Sequence, residues 1–559
     1  MASSETPKKT ASLFQSLGTI KNWQKEKHGI IVVTSYGKLR LQAYDQGTIR
    51  VSISRNDQFE DFSYSVVKKP SSVNFKIVEQ KKVIRLVTRQ MVCEVQKDPA
   101  RIRFLDKKDQ VINEDDPAFG TAWMNNEVTT YKVLQEGERF LGLGEKTGNL
   151  DRRGSGYTNW NTEKFGYGTN DDPIYLSIPF YLGIHNGLVY GIFLNNSYRT
   201  QMNFGASNRR YSSFGAEEGE MDYFFFNGAT VAEVIKLYGD ITGKMPMPPL
   251  WSLGFQQCRY SYYPDKEVLN LARTFREKEI PADTIVLDIH YMEGYKVFKW
   301  DRKRFSNPTK MIRDLKKMGF NIVLIIDPGI KIEKGYKAYE EGLKKDVFAK
   351  FPDHSLYEGE VWPGWCHFPD FTKPVTRDWW GKSFEGYVKE GVKGFWNDMN
   401  EPASWGNFYP NNVIFDLDGH GATSKRARNL YGMQMARSTF EGTKSLMDQR
   451  PFVLTRSGFA GVQRYSAVWT GDNVASEEHM LLGVRLVNSL GLSGVAFSGY
   501  DIGGFFGDSS ASLFARWISI GTFAPFFRVH SMINSRDSEP WSYGEEVEKI
   551  ARNYIKLRY

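Results

Sequence analysis

Thr284-Ile-Val-Leu-Asp288, a helical stretch over 311–318, and Ile322-Val-Leu-Ile-Ile326-Asp327 together decide the fold. Two apolar runs rich in β-branched residues flank a segment with helical spacing, and each run ends in an aspartate. A short run with no polar alternation is buried on both faces, as in a parallel sheet covered by helices. The unit repeats in both directions. Upstream stand Trp251-Ser-Leu-Gly-Phe255 and a helical stretch over 266–278. Downstream come Gly394-Phe-Trp396, Pro451-Phe-Val-Leu454, Ala467-Val-Trp469, Gly494-Val-Ala-Phe-Ser498 and Pro525-Phe-Phe527. Helical stretches over 430–447, 480–490 and 513–520 separate them, and another helix begins near Glu545. Strand candidates alternating with helices predict an α/β architecture, a (β/α)8 TIM barrel over residues 246–559. The segment 328–391 exceeds a simple repeat and is expected to hold an insertion. The chain stops at Tyr559, inside the expected last barrel helix, as a partial chain would.

Before Met245-Pro-Met-Pro-Pro249 the texture differs. Gly29-Ile-Ile-Val-Val-Thr34, Leu39-Arg-Leu-Gln-Ala43, Thr48-Ile-Arg-Val-Ser-Ile53, Val83-Ile-Arg-Leu-Val-Thr88 and Leu188-Val-Tyr-Gly-Ile-Phe-Leu194 are short runs separated by polar turns. That spacing predicts an N-terminal antiparallel β-sandwich over residues 1–245. Within it, residues 151–175 are rich in Gly, Asn, Asp and aromatics. The stretch is too long and too polar for a simple connection, which marks a functional loop.

Composition narrows the function. Basic residues number 73 against 65 acidic ones, a net charge of +8 that is mild for 559 residues. The charges are interspersed, as in Lys344-Lys345-Asp346, so there is no nucleic-acid footprint. Lys8 and Lys9 read as a solvated tail. Cys93, Cys258 and Cys366 are odd in number and far apart, giving neither a disulfide framework nor zinc spacing. A reducing, cytoplasmic compartment is slightly favoured. A secreted or periplasmic enzyme without disulfides, its signal peptide removed, would look the same. No apolar run approaches transmembrane length, so no membrane partner is expected. Aromatics make up 14% of the chain, which suits a sugar site because a pyranose packs its C–H face on an apolar ring. For any single ring the core remains the default.

Polar groups recur directly after the strand candidates: Asp288, Asp327, Asp398 with Glu401, Arg456, Asp472, Asp501, and Arg528 with His530. One aspartate after a strand is ordinarily a helix cap or turn residue. In a (β/α)8 barrel, however, the strand C-termini converge on one mouth, where active sites are built. Several carboxylates with no thiol or serine nucleophile and no metal cluster suit glycosidic cleavage. A retaining glycosidase needs one carboxylate to attack and one carboxylic acid to protonate the leaving oxygen. No cofactor or metal is called for.

Gly394-Phe-Trp-Asn-Asp-Met-Asn-Glu-Pro402 resembles the nucleophile motif of glycoside hydrolase family 31, the α-glucosidase family. The resemblance implies Asp398 as nucleophile. Ser466-Ala-Val-Trp-Thr-Gly-Asp-Asn473 is similar to the family's acid/base strand, implying Asp472 as proton donor. Leu287-Asp-Ile-His-Tyr-Met292 implies Asp288 at the sugar's 4- and 6-hydroxyls. Val361-Trp-Pro-Gly364, Thr455-Arg-Ser-Gly458, Tyr500-Asp-Ile-Gly-Gly-Phe505 and Phe526-Phe-Arg-Val-His530 match further pieces. They imply Trp362, Arg456, Phe505 and His530 as walls or hydroxyl ligands, with Ile325, Trp396, Met399 and Trp469 as apolar wall. Glu401, the rival nucleophile, reads instead as a loop brace. Asp327 is either a supporting acceptor or a turn residue, and Arg528 a supporting cation. His530 is a hydroxyl ligand or a structural histidine.

The resemblance runs in order from about Phe140 to the end. It implies a galactose-mutarotase-like sandwich whose loop reaches over the active site, and β-domains after the barrel that this sequence lacks. Two departures stand out. His290 occupies the middle of the motif where many members carry aspartate, and Ser424-Lys-Arg-Ala-Arg-Asn-Leu-Tyr-Gly432 lacks the family's usual histidine. The implied activity is that of a retaining, exo-acting α-glucosidase on an oligosaccharide or small α-glycoside, with a homo-oligomer left open. Transglucosylation, a lyase outcome, or an α-galactoside or α-xyloside glycone would use the same intermediate. A non-catalytic carbohydrate-binding homologue would keep only the fold. The tryptophan and Asn-Asp-Met-Asn around the nucleophile look more like the glucosidases than the xylosidases.

Overall fold

The structure is a computed structural model describing residues 14–56, 58–406 and 409–559. Lys8 and Lys9, read above as a tail, lie outside the described residues. From Phe14 to Gly228 the chain forms antiparallel sheets of six, five and eight strands. Strand Glu127–Val133 alternates buried and less buried positions, the pattern of a sheet with one face on a core. Ile30, Val51, Phe104 and Phe225 pack between the sheets in a core of their own. Helix Val231–Thr242, capped by the Thr230 hydroxyl, then leads to the proline-rich joint.

The second unit is a parallel barrel. Its strands are β1 (Gln256–Arg259), β2 (Thr284–Leu287), β3 (Asn321–Ile326), β4 (Gly394–Asn397), β5 (Phe452–Thr455), β6 (Ala467–Trp469), β7 (Ser498–Gly499 continuing at Asp501–Ile502) and β8 (Arg528–Val529). Neighbours pair in chain order from β1 to β6. Strand β7 closes the ring: Ser498–Gly499 pairs with β6, and beyond Tyr500 the Asp501–Ile502 segment pairs with β8, which returns to β1. The (β/α)8 barrel and the preceding sandwich expected from the sequence are both present. Strand β2 is buried at every position, and β3 at all but its first.

The strand positions need correction at three places. Trp251–Phe255 was expected as the first strand, but Leu250–Leu253 forms a 3-10 turn after Pro249 and the ladder begins at Gln256. Likewise, the last strand is Arg528–Val529 rather than Pro525-Phe-Phe527, and β7 starts only at Ser498. In each case the most hydrophobic run lies just before the hydrogen-bonded segment. The strands themselves carry buried polar residues, including Gln256, Gln257 and Arg528.

Helices surround the barrel. Ser476 and Ser510 cap Glu477–Leu492 and Ala511–Gly521 with their side chains, and Asn307 with Pro308 starts Pro308–Lys317. After β3 a three-stranded antiparallel sheet (Ile330–Lys331, Gly364–His367, Glu358–Val361) and helix Lys337–Lys344 stand above the barrel mouth. The final helix runs Glu545–Arg558. The Tyr559 hydroxyl donates to the Asp283 carboxylate at 2.6 Å and accepts from the Phe255 N–H at 3.1 Å.

Candidate active site

The C-terminal ends of the barrel strands enclose a cavity of about 320 Å3 lined by Asp288, Ile325, Trp362, Trp396, Asp398, Met399, Arg456, Asp472, Phe505 and His530. These residues come from seven different strands or the loops after them, so barrel closure alone brings them together. A larger groove of about 740 Å3 lies around Trp251, Phe452 and Ala467, at the opposite end of the strands and away from every carboxylate discussed here.

Arg456, at the end of β5, organises the floor. Its Nε lies 3.2 Å from Asp398 Oδ1, and a terminal nitrogen lies 3.5 Å from Asp472 Oδ2. The same guanidinium donates to both oxygens of Glu401, at 3.0 and 2.9 Å, and stacks over the Tyr175 ring. Asp398 and Asp472 thus sit on different nitrogens of one cation and both face the cavity. Glu401 is fully buried behind them and does not line it. Met399 has φ +55°, a left-handed backbone that turns the chain sharply after β4.

Electrostatics separate the two carboxylates. Burial pushes the Asp472 carboxyl well above the usual range, reinforced by Asp398, Asp501 and Glu163 and opposed by Arg456. Asp398 is also raised by burial, but the Arg456 guanidinium is the first influence against it, helped by the Met399 N–H and by Arg528. The arrangement keeps a proton on Asp472 more readily than on Asp398.

One wall is built for hydroxyl groups. Asp288 accepts from the Ile289 N–H at 2.6 Å and lies 3.6 Å from His530 Nε2. Burial pushes its carboxyl up to about 8. Burial, with Arg528 and Arg259 nearby, holds His530 well below its usual value and therefore neutral. Cys258, Asp288 and His530 offer ligand atoms within 4.8 Å of one another. All three face Arg528, however, and burial holds the thiol protonated, so the cluster offers hydrogen bonds better than it offers ligands to a cation. Arg528 itself is sealed in the barrel, bonded to Asp501 at 2.6 Å and stacked on Trp396 and Trp469. Asp327 is likewise buried, beneath Asp398 and Asp288, and does not reach the cavity.

The apolar wall is formed by Trp396, Ile325, Met399 and Phe505. Phe505 stacks on His530 at 4.8 Å, and Trp396 meets the same imidazole edge-on at 5.4 Å. Trp469 does not belong to this wall. Its ring is fully buried within the barrel, edge-on to Trp396 at 5.2 Å and over Arg528, so it supports the wall from behind.

Sequence reasoning missed several lining residues. Glu163 and Phe165 enter from the loop between Asn159 and Phe180, Tyr260 follows β1, and Trp405 and Met532 complete the mouth. Glu163 and Phe165 fall inside the polar loop singled out above, and Tyr260 obeys the same after-the-strand rule that found Asp288. Nothing in the sequence marks Trp405. The loop is tied to the strand that carries Asp472: Gly166 N–H donates to the Asp472 carbonyl at 3.1 Å and the Tyr167 hydroxyl to the Thr470 carbonyl at 2.8 Å. Asn161 anchors its start on Asn429 and Gly458.

Comparison with known proteins agrees with this architecture. Residues 245–559 match the profile described as "Glycosyl hydrolases family 31 TIM-barrel domain", and residues 38–203 the "Glycosyl hydrolase 31 N-terminal galactose mutarotase-like domain". The chain is 40% identical to "Alpha-glucosidase 2" of Bacillus thermoamyloliquefaciens over 97% of its own length and 70% of that protein. It is 36% identical to "Neutral alpha-glucosidase C" of Mus musculus over 73% of its length, spanning about half (48%) of that relative. A Flavobacterium johnsoniae GH31 dextranase solved with isomaltotriose superposes with a TM-score of 0.91 at 32% identity, over 98% of this chain and 69% of the other. Among the described residues no helix is long and apolar enough to cross a membrane.

Proposed function

This chain belongs to glycoside hydrolase family 31, and from that premise we propose that it is a retaining, exo-acting α-glucosidase removing terminal non-reducing glucose from α-linked oligosaccharides. The observation that carries the reading is the pair Asp398 and Asp472 on different nitrogens of Arg456, both facing the cavity at the C-terminal mouth of the barrel. The exo mode of attack is part of the proposal: the cavity, about 320 Å3, suits the terminal sugar unit of a chain.

In the first step the Asp472 carboxylic acid gives its proton to the glycosidic oxygen while the ionised Asp398 attacks the anomeric carbon. The C–O bond to the leaving group breaks and a glycosyl ester on Asp398 forms, through an oxocarbenium-like transition state. Asp472, now a carboxylate, next takes a proton from water, whose oxygen displaces Asp398. Two inversions give net retention. Arg456 favours the ionised form of Asp398 in the resting state and balances Asp472 once its proton is gone. Asp288 and His530 hold hydroxyls on the far side of the ring, and Trp396, Met399 and Phe505 cover its apolar face.

Time-resolved NMR of an aryl α-glucoside tests the proposal. Early release of α-glucose, with the β-anomer appearing only by mutarotation, is expected. β-Glucose as the first product overturns retention. Turnover of an α-xyloside or α-galactoside in preference to the glucoside overturns the glycone.

A further inference from the structure

Two exposed tryptophans near the pocket form an ordered feature. The protein has 14 tryptophans, yet among the described residues only Trp365 (54%) and Trp405 (44%) rank as exposed. Trp365 lies in the small sheet above the barrel mouth, and Trp405 is bridged to the edge of that sheet. In that sheet Glu360 stands directly opposite Trp365, and on its other side it bridges to Trp405, whose N–H donates to the Glu360 carbonyl at 2.8 Å. Residues opposite one another in an antiparallel ladder point to the same face. Trp405, Glu360 and Trp365 therefore form one row across two strands and the segment bridged to their edge, and Glu360 is exposed as well. Adjacent strands lie roughly 4.8 Å apart, which sets the two tryptophans about 9–10 Å from each other. The inner end of the row is continuous with the pocket: Trp405 lines the cavity and meets Trp362 edge-on at 4.9 Å. The remaining row neighbour, Ile332, donates its N–H to the Trp365 carbonyl at 3.0 Å and continues the apolar strip outward.

We propose that the Trp405–Glu360–Trp365 row is an outer binding platform for the reducing-side units of an α-glucan chain whose terminal glucose occupies the pocket. Two indoles flanking a carboxylate match the chemistry of a short oligosaccharide. Apolar ring faces stack on the tryptophans, and the hydroxyls between them bond to Glu360. Each ring leaves about half of its surface to solvent, which a bound sugar would cover. The inference rests on the function proposed above and deepens it: the substrate class is an oligosaccharide of several units, and the disaccharide uses only part of the site.

The test is calorimetric binding of maltose, maltotetraose and their isomalto counterparts to an Asp398→Asn protein, with and without Trp365→Ala or Trp365→Phe. In at least one series the tetrasaccharide should bind about tenfold tighter than the disaccharide, or ~1.4 kcal/mol. Trp365→Ala should erase that ratio and Trp365→Phe should keep most of it. Equal affinity for both lengths in both series, or a ratio that survives Trp365→Ala, overturns the platform. Binding needs no turnover, so the two readings separate. Length-dependent binding in a parent enzyme that cleaves no α-glucoside would sustain the platform and refute the hydrolysis.

Discussion

Arg456 grips both carboxylate oxygens of Glu401, at 3.0 and 2.9 Å, with both side chains almost sealed from solvent. The planar fork is thereby fixed, and the nitrogen that faces Asp398 cannot swing away. Glu401→Gln removes the charge that holds the fork and leaves a buried cation less compensated. Misplacement of this order costs about 100-fold in kcat, and breaking a buried pair costs about 3–5 kcal/mol of stability. A further readout separates positioning from mere folding. Glu401 raises the Asp398 carboxyl, so in the variant Asp398 ionises at lower pH and the acid limb of kcat/KM moves to lower pH. An unmoved limb with normal kcat would refute the assignment.

Replacing Asp472 by alanine removes the proton donor and the later base but leaves the nucleophile. Hydrolysis of oligosaccharides should fall by roughly 100- to 10,000-fold, the usual worth of general acid catalysis. An aryl glucoside with a good leaving group needs no proton to depart, so its first step should survive and the glycosyl-enzyme should accumulate. Added azide, which needs no base, should then restore turnover and yield α-glucosyl azide. Failure of azide to accelerate the variant would remove Asp472 from the role.

Stability should depend on pH through Asp288. Its folded value of about 8 lies above that of an unfolded aspartate, about 3.9. The folded state therefore binds the extra proton between these limits, and ∂ΔG/∂pH is negative there. The contribution is fully present below the unfolded value and is lost as pH rises through 8. Asp501, raised to about 6, acts in the same direction over the lower half of that window. Asp288→Asn should flatten the upper half of the slope in urea denaturation across pH 5–9 (about four decades of proton concentration), since the amide does not titrate. An unchanged slope would mean that Asp288 ionises freely in the fold.

The sequence made the barrel legible because its strands are doubly buried and each ends in a polar group. Runs such as Ile322-Val-Leu-Ile-Ile326 followed by Asp327 are hard to accommodate elsewhere. What it left obscure depends on long-range placement. Glu163 reaches the pocket only because Tyr167 and Gly166 bind the strand carrying Asp472, some three hundred residues away. Trp405 reaches it through a single bridge to Glu360. Trp469 looked like a wall residue from its neighbours in sequence, yet its ring turns into the barrel toward Arg528. Local pattern reads the strand, but which way the last side chains face depends on how the ring closes.

The tether itself is testable. The Tyr167 hydroxyl is fully buried and its hydrogen bond to the Thr470 carbonyl, 2.8 Å, joins the loop of Glu163 and Phe165 to the segment just before Asp472. Tyr167→Phe keeps the ring and its packing on Tyr175 and His479 while leaving that carbonyl without its partner. The loss should be about 1–3 kcal/mol in global stability. The larger effect belongs in catalysis, because the loop forms part of the pocket mouth and one freed anchor lets it drift from Asp472. KM for a short oligosaccharide should rise several-fold, with a smaller change in kcat, since bond cleavage depends on Arg456 and the two aspartates beneath. A variant with lower stability and unchanged KM would show that the loop is held by Asn161 and Gly166 alone and that the tyrosine hydroxyl serves only the fold.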